Sequence, residues 1–173
     1  GIDVKTGKSH TVTPGRSIAE WSPNSESILY FKNNSSVLNV AKYKDIEGSL
    51  INVDLGIVED MIPTSMTLSP SASLLEITLA SNEKDTSQIH IFEPNKENII
   101  KPKKEGVKFT FPGDIVALNW SPDEKWFSMI RDENGEINLE TLELETGNWF
   151  KRTKFSPNFK RIRKMGKVLS WSN

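Results

Sequence analysis

One motif recurs along this chain, and it limits what the chain can fold into. Its fullest copy is Leu118-Asn119-Trp120-Ser121-Pro122-Asp123-Glu124-Lys125-Trp126-Phe127-Ser128-Met129-Ile130, which reads as a strand, a tight turn and a second strand. Other copies are Ile18-Ala19-Glu20-Trp21-Ser22-Pro23, Met66-Thr67-Leu68-Ser69-Pro70 and Val168-Leu169-Ser170-Trp171-Ser172. Their serines are about 50 residues apart, a period that marks solenoids and propellers. Downstream positions also match. Ile28, Leu75 and Phe127 stand at one distance beyond the Ser-Pro proline, and Tyr30, Ile77 and Met129 two residues further on. Such regularity is what stacked units need, because each buries apolar faces against its neighbours.

Between the copies the chain reads as short strands and turns, with no helical period over 11 or more residues. Ile2 and Val4 alternate with polar residues before Thr6-Gly7-Lys8, so Gly1–Pro14 reads as a hairpin. The first full unit has strands at Ile28–Phe31, Val37–Ala41 and Leu50–Val58, the last with Ile51, Val53 and Leu55 on one face. The second has strands at Leu74–Leu79, Gln88–Phe92 and Val107–Phe111, with Pro94–Glu105 as a polar connection. The third carries Asp132-Glu133-Asn134-Gly135 as a turn and ends in the hairpin Leu142–Phe150. The expected division is one segment over residues 1–173. Residues 1–15 end a unit, 16–63, 64–112 and 113–157 are units, and 158–173 begin another.

Trp120-Ser121-Pro122-Asp123-Glu124-Lys125, followed by Asn134-Gly135 and Leu142-Glu143-Leu144-Glu145-Thr146-Gly147, resembles the β-propeller repeat of TolB-like proteins. The usual form is Trp-Ser-Pro-Asp-Gly-Lys. Here Glu124 stands for the glycine, Leu68 replaces the tryptophan of the second copy, and Asn24-Ser25 and Ser71-Ala72 occupy the matching turns. The resemblance implies an all-β propeller of about three and a half four-stranded blades. Propellers have four to eight blades. The expectation is therefore a part of a larger propeller. The alternative is a composite fourth blade made from the two chain ends.

Composition excludes several function classes. The formal net charge is -1 and there is no cysteine. Disulfides and thiolate metal sites are thereby ruled out, and nothing global points to nucleic acid. A cysteine-free chain with this resemblance is expected to be extracytoplasmic, periplasmic or at the cell surface, as in TolB and related surface lipoproteins. No apolar run approaches the ~18 residues of a membrane span. No Gly-x-Ser-x-Gly elbow or phosphate-cradling glycine loop is present, so neither a catalytic serine nor a nucleotide site is expected.

Trp21, Trp120 and Trp171 share a repeat position and read as inter-blade packing. His10 and His90 lack partners at metal-ligand spacing and read as surface or edge residues. The acidic residues Asp132, Glu133, Glu136, Glu140, Glu143 and Glu145 alternate with apolar ones, as solvated strand faces do; calcium-loop spacing is absent. Lys151–Lys167 carries eight basic residues and no acidic one, interleaved with Phe155 and Phe159, and Phe150 precedes it. A smaller patch is Lys101-Pro102-Lys103-Lys104. The candidate partner-binding residues are Trp149, Lys151, Arg152, Lys154, Lys160, Arg161, Arg163 and Lys164.

The expected function is a non-enzymatic binding module without a cofactor or metal. Rigid blades would hold the loops that contact a protein or peptide partner. An anionic polymer is the second partner class, through the basic stretch. The alternative is an accessory propeller gating a prolyl-oligopeptidase-type serine hydrolase whose catalytic domain lies outside these residues.

Overall fold

The structure is a computed structural model and describes residues 18–22, 25–32, 35–42, 44–57, 60–81, 83–94, 100–154 and 171. The expected N-terminal hairpin and residues 155–170 lie outside them. Strands β1 (Ile18–Trp21), β2 (Ser27–Phe31), β3 (Leu38–Lys42) and β4 (Ile51–Val53) form the first sheet. Strands β5 (Met61–Leu68), β6 (Leu75–Ser81), β7 (Thr86–Pro94) and β8 (Ile100–Pro112) form the second. Strands β9 (Asp114–Trp120), β10 (Trp126–Glu133), β11 (Glu136–Glu143) and β12 (Trp149–Lys154) form the third. Each sheet is an antiparallel meander in chain order. All regular structure among the described residues is strand. Four-stranded meanders packed face to face are blades of a β-propeller, as expected.

The repeated motif forms one local structure. The N–H groups of Ser22, Ser69 and Ser121 donate to the carbonyls of Ser27, Leu74 and Trp126, each at 2.9 Å. The serine Oγ atoms accept from those same residues' N–H groups at 2.9, 3.2 and 2.9 Å. All three serines are buried, so each hydroxyl meets a backbone donor that solvent does not reach. Ser25, Ala72 and Glu124 hold φ of 57°, 58° and 59°. That left-handed conformation explains why glycine is the usual residue of the motif there. Glu124 instead reaches the neighbouring blade: its carboxylate accepts from Ser71 N–H and, at 3.4 Å, from Ser73 Oγ.

Two cores lie between the blades. Leu29, Phe31, Leu38, Val40, Met61, Met66, Leu75, Ile77 and Leu79 fill the first, between sheets one and two. Ile89, Ile91, Phe111, Trp120, Phe127, Met129 and Leu142 fill the second, between sheets two and three. The middle sheet is therefore covered on both faces. Its crossing to the third sheet takes a single residue, Gly113, at φ 76°. A Cβ there would lie 2.2 Å from the Asp132 carbonyl oxygen, so only glycine fits.

Several elements differ from expectation. The strand expected over Leu50–Val58 ends at Val53, because Asp54 Oδ1 accepts from Gly56 N–H at 2.8 Å and Gly56 turns at φ 65°. Leu55 still reaches the first core. The connection expected over Pro94–Glu105 is in part strand: β8 starts at Ile100. Pairing with β7 jumps from Ile91↔Val107 to Phe92↔Pro102, so the polar run between is absorbed as a bulge.

Trp120 packs as expected, tilted against Phe127 at 4.4 Å between ring centroids. Trp21 is 45% exposed. It pairs with Ile28 on the face of sheet one turned away from sheet two, and no further sheet covers it among the described residues. Trp171 Nε1 donates to the Asn119 carbonyl at 3.5 Å. His90 is a correction. It is not at an edge: it pairs with Ile77 on an inner strand, on the face turned toward sheet one, and is half-buried.

Candidate functional site

β12 is an edge strand, joined only to β11 among the described residues. Trp149 pairs with Leu142 and so lies on the face turned toward sheet two; Phe150 pairs with Thr141 on the opposite face. Both are exposed, at 43% and 41%.

Each aromatic is held by an arginine. The Arg131 guanidinium carbon sits 4.8 Å from the Trp149 ring centroid, and Phe111 of β8 meets that ring edge-on at 5.6 Å. Arg152 lies over Phe150 at 5.1 Å, and its Nε donates to Thr141 Oγ1 at 2.9 Å. Phe150 also tilts against Trp126 at 6.2 Å. Such contacts hold large, partly exposed rings in one orientation.

Beneath Trp149 lies a buried polar network. Arg131 Nε donates to Glu140 Oε2 at 2.8 Å and Nη2 to Oε1 at 2.9 Å, a two-pronged pair. Arg131 Nη1 donates to Glu133 Oε2 at 3.0 Å and to the Pro112 carbonyl at 2.6 Å. The Pro112 bond ties sheet three to sheet two. Buried Asn138 lies opposite Arg131 on β11, with its amide turned so that nitrogen donates to the Thr153 carbonyl and oxygen accepts from Lys151 Nζ. Lys151 Nζ also meets Glu136 Oε1 at 2.8 Å, with both side chains more than a third exposed. A pair that open to water contributes little stability.

Trp149, Lys151 and Arg152 of the expected site thus come together on one strand. Lys154 ends that strand. Lys160, Arg161, Arg163 and Lys164 lie outside the described residues, as does His10. The side chains of the Lys101–Lys104 patch lie outside them too. Glu140 corrects the reading of the acidic residues as a solvated face: it is fully buried, because its face of β11 looks at sheet two. Arg131 was not legible as a site residue. The available signal was its alternation with Phe127 and Met129, which puts a guanidinium on a core face where only a paired one is tolerated.

A second buried acid lies deeper. Glu76 pairs with Ile91 on the face turned toward sheet three and is completely enclosed. Thr78 Oγ1 donates to its Oε1, while Oε2 has no partner among the described residues. Burial pushes its carboxyl up to about 8, against a smaller lowering by the Thr78 hydroxyl. His90 goes the other way: burial and the Lys108 charge push it down to about 4. Among the described residues no three histidines or acids converge as metal ligands. Asp132-Glu133-Asn134-Gly135 is a tight turn, closed by Gly135 N–H donating to Asp132 Oδ1 at 2.9 Å.

No protein-family model and no curated protein matches the chain. Solved structures do. An oligogalacturonate lyase in complex with manganese superposes with a TM-score of 0.64 at 12% identity, covering 88% of this chain and 41% of that one. The periplasmic gluconolactonase PpgL of Pseudomonas aeruginosa gives 0.52 at 10% identity, covering 80% and 38%. Dipeptidyl peptidase 4 of Porphyromonas gingivalis gives 0.51 at 10% identity, covering 80% and 24%. The chain spans about two fifths or less of each of these proteins. Likeness at these identities defines the fold class: β-propeller. Propellers host unrelated functions, so the site has to supply the rest.

Proposed function

We propose that this chain is a non-enzymatic binding module that recognises a protein or peptide partner. One observation carries the reading: Trp149 and Phe150 stand exposed on opposite faces of an edge strand, each stacked with an arginine. Tryptophan, tyrosine and arginine dominate binding hot spots, and a pre-oriented ring loses little entropy on docking. Glu76, the described acid whose pKa is raised, is enclosed between blades and out of reach of a substrate. The division into units at 15/16, 63/64, 112/113 and 157/158 belongs to the same proposal. So does an extracytoplasmic location, which the cysteine-free sequence accommodates; cell fractionation tests it.

The test selects a displayed peptide library against the whole protein and assays turnover of lactones, esters and peptides in parallel. The reading expects saturable peptide binding that weakens in Trp149→Ala, without turnover. Turnover with no peptide binding overturns it, and peptidase activity in the same polypeptide would favour the gating alternative.

A further inference from the structure

We infer that the outer edge of β12 is the docking site for an extended acidic peptide segment, with Arg152 as its carboxylate-binding group. The inference rests on the binding-module reading above and names its site and partner chemistry.

Arg152 is the starting point. Its Nε is committed to Thr141 and its plane to Phe150, while its two terminal nitrogens have no hydrogen-bond partner among the described residues. A guanidinium held by its stem and by stacking, with its outer fork open, is preorganised for a carboxylate. Arg131 is a useful contrast within the same sheet: its fork is filled by Glu140 and it is buried.

Charge selects the occupant. β12 carries Lys151, Arg152 and Lys154 and no acid, and the sequence beyond it adds cations up to Lys167 without one carboxylate. Glu136 already meets Lys151, and residues 155–167 supply no carboxylate for Arg152. A second copy of β12 is disfavoured too, because like charges would face each other along the edge. The pairing of β11 with β12 shifts between Leu139 and Glu140, a bulge that leaves Arg152 out of register. The bulge limits ladder pairing by a flat, neutral strand and leaves Arg152 without a partner on β11 in the register, its guanidinium lying over the exposed Phe150 face. An acidic segment gains from both features: a carboxylate for Arg152, and the exposed faces of Trp149 and Phe150 for its apolar side chains.

The experiment titrates the whole protein with a blocked ten-residue peptide alternating Glu and Leu, and with its Gln-for-Glu and Lys-for-Glu counterparts. Tight binding of the acidic peptide alone, weakened by added salt, is the expected result. Arg152→Gln should weaken it about tenfold, a loss of about 1.4 kcal/mol. Arg152→Glu should reverse the preference toward the Lys peptide. Arg152 is on the surface, so neither substitution threatens the fold. Equal binding of acidic and neutral peptides, or no response to Arg152, overturns the inference; library binders found elsewhere on the protein would then leave the binding-module reading standing. A single-stranded DNA oligonucleotide that binds as tightly as the acidic peptide also overturns it, because the site would then be reading charge alone.

Discussion

At the residue scale, buried Glu76 and half-buried His90 set opposite dependences on pH. Glu76 has a folded pKa of about 8 against an ordinary 4.5, so the folded protein holds a proton that the unfolded chain releases. Its contribution to stability falls as pH rises between those values, by about 1.4 kcal/mol per unit. His90 has a folded pKa of about 4 against 6.5, so its contribution falls as pH drops from 6.5 toward 4. From about pH 4.5 to 6.5 the two slopes cancel; between 6.5 and 8 only the Glu76 loss remains. Urea denaturation across this range should show a plateau and then a decline. Glu76→Gln keeps the shape of the side chain and removes its ionisation, so its decline above pH 6.5 should disappear. A decline that persists in the variant would assign it to other groups.

At the element scale, the Ser-Pro turn and the β10–β11 pair make separate predictions. Ala72 occupies the left-handed position of its turn at φ 58°. Ala72→Gly relieves that conformation and should stabilise by roughly 1 kcal/mol in denaturant titration, net of glycine's greater freedom when unfolded. Glu124→Gly should gain less, because Ser71 N–H and Ser73 Oγ lose their acceptor. The Arg131–Glu140 pair is 1% and 0% exposed. Removing one partner strands the other, so Glu140→Ala should cost about 3–5 kcal/mol. Arg131→Met combined with Glu140→Leu should cost much less, since no buried charge remains. A double-mutant cycle measures the difference, and a near-additive result would show that Glu133 and the Pro112 carbonyl suffice for Arg131.

At the scale of the whole molecule, the three blades are unequal. The first has strands of 4, 5, 5 and 3 residues, whereas the second has strands of 8, 7, 9 and 13. Short strands make fewer ladder bonds and bury less area, so local opening starts there. Hydrogen exchange should be fastest in β4, whose Ile51 is 51% exposed, and slowest in β6, where Leu75, Ile77 and Leu79 are fully buried. Equal protection in the first and second blades would mean that the sheets open as one unit.

Local chemistry repeated at a fixed period was legible in the sequence. The Ser-Pro turns, the strands beyond them and the propeller class follow from Ser22, Ser69 and Ser121 and from the apolar residues in step with them. The gathering of Trp149, Lys151 and Arg152 was legible too, because they are neighbours on one strand. What only the tertiary structure decided was which polar residues are buried. Glu76 and Glu140 alternate with apolar residues just as solvent-facing ones do, while Arg131 falls in step with Phe127 and Met129. Alternation states only that a side chain points to the other face of its strand. In stacked blades that other face meets another sheet, so the same pattern encloses Glu76 and pairs Arg131 with Glu140 in the dark interior, while Trp149 at the edge stays open.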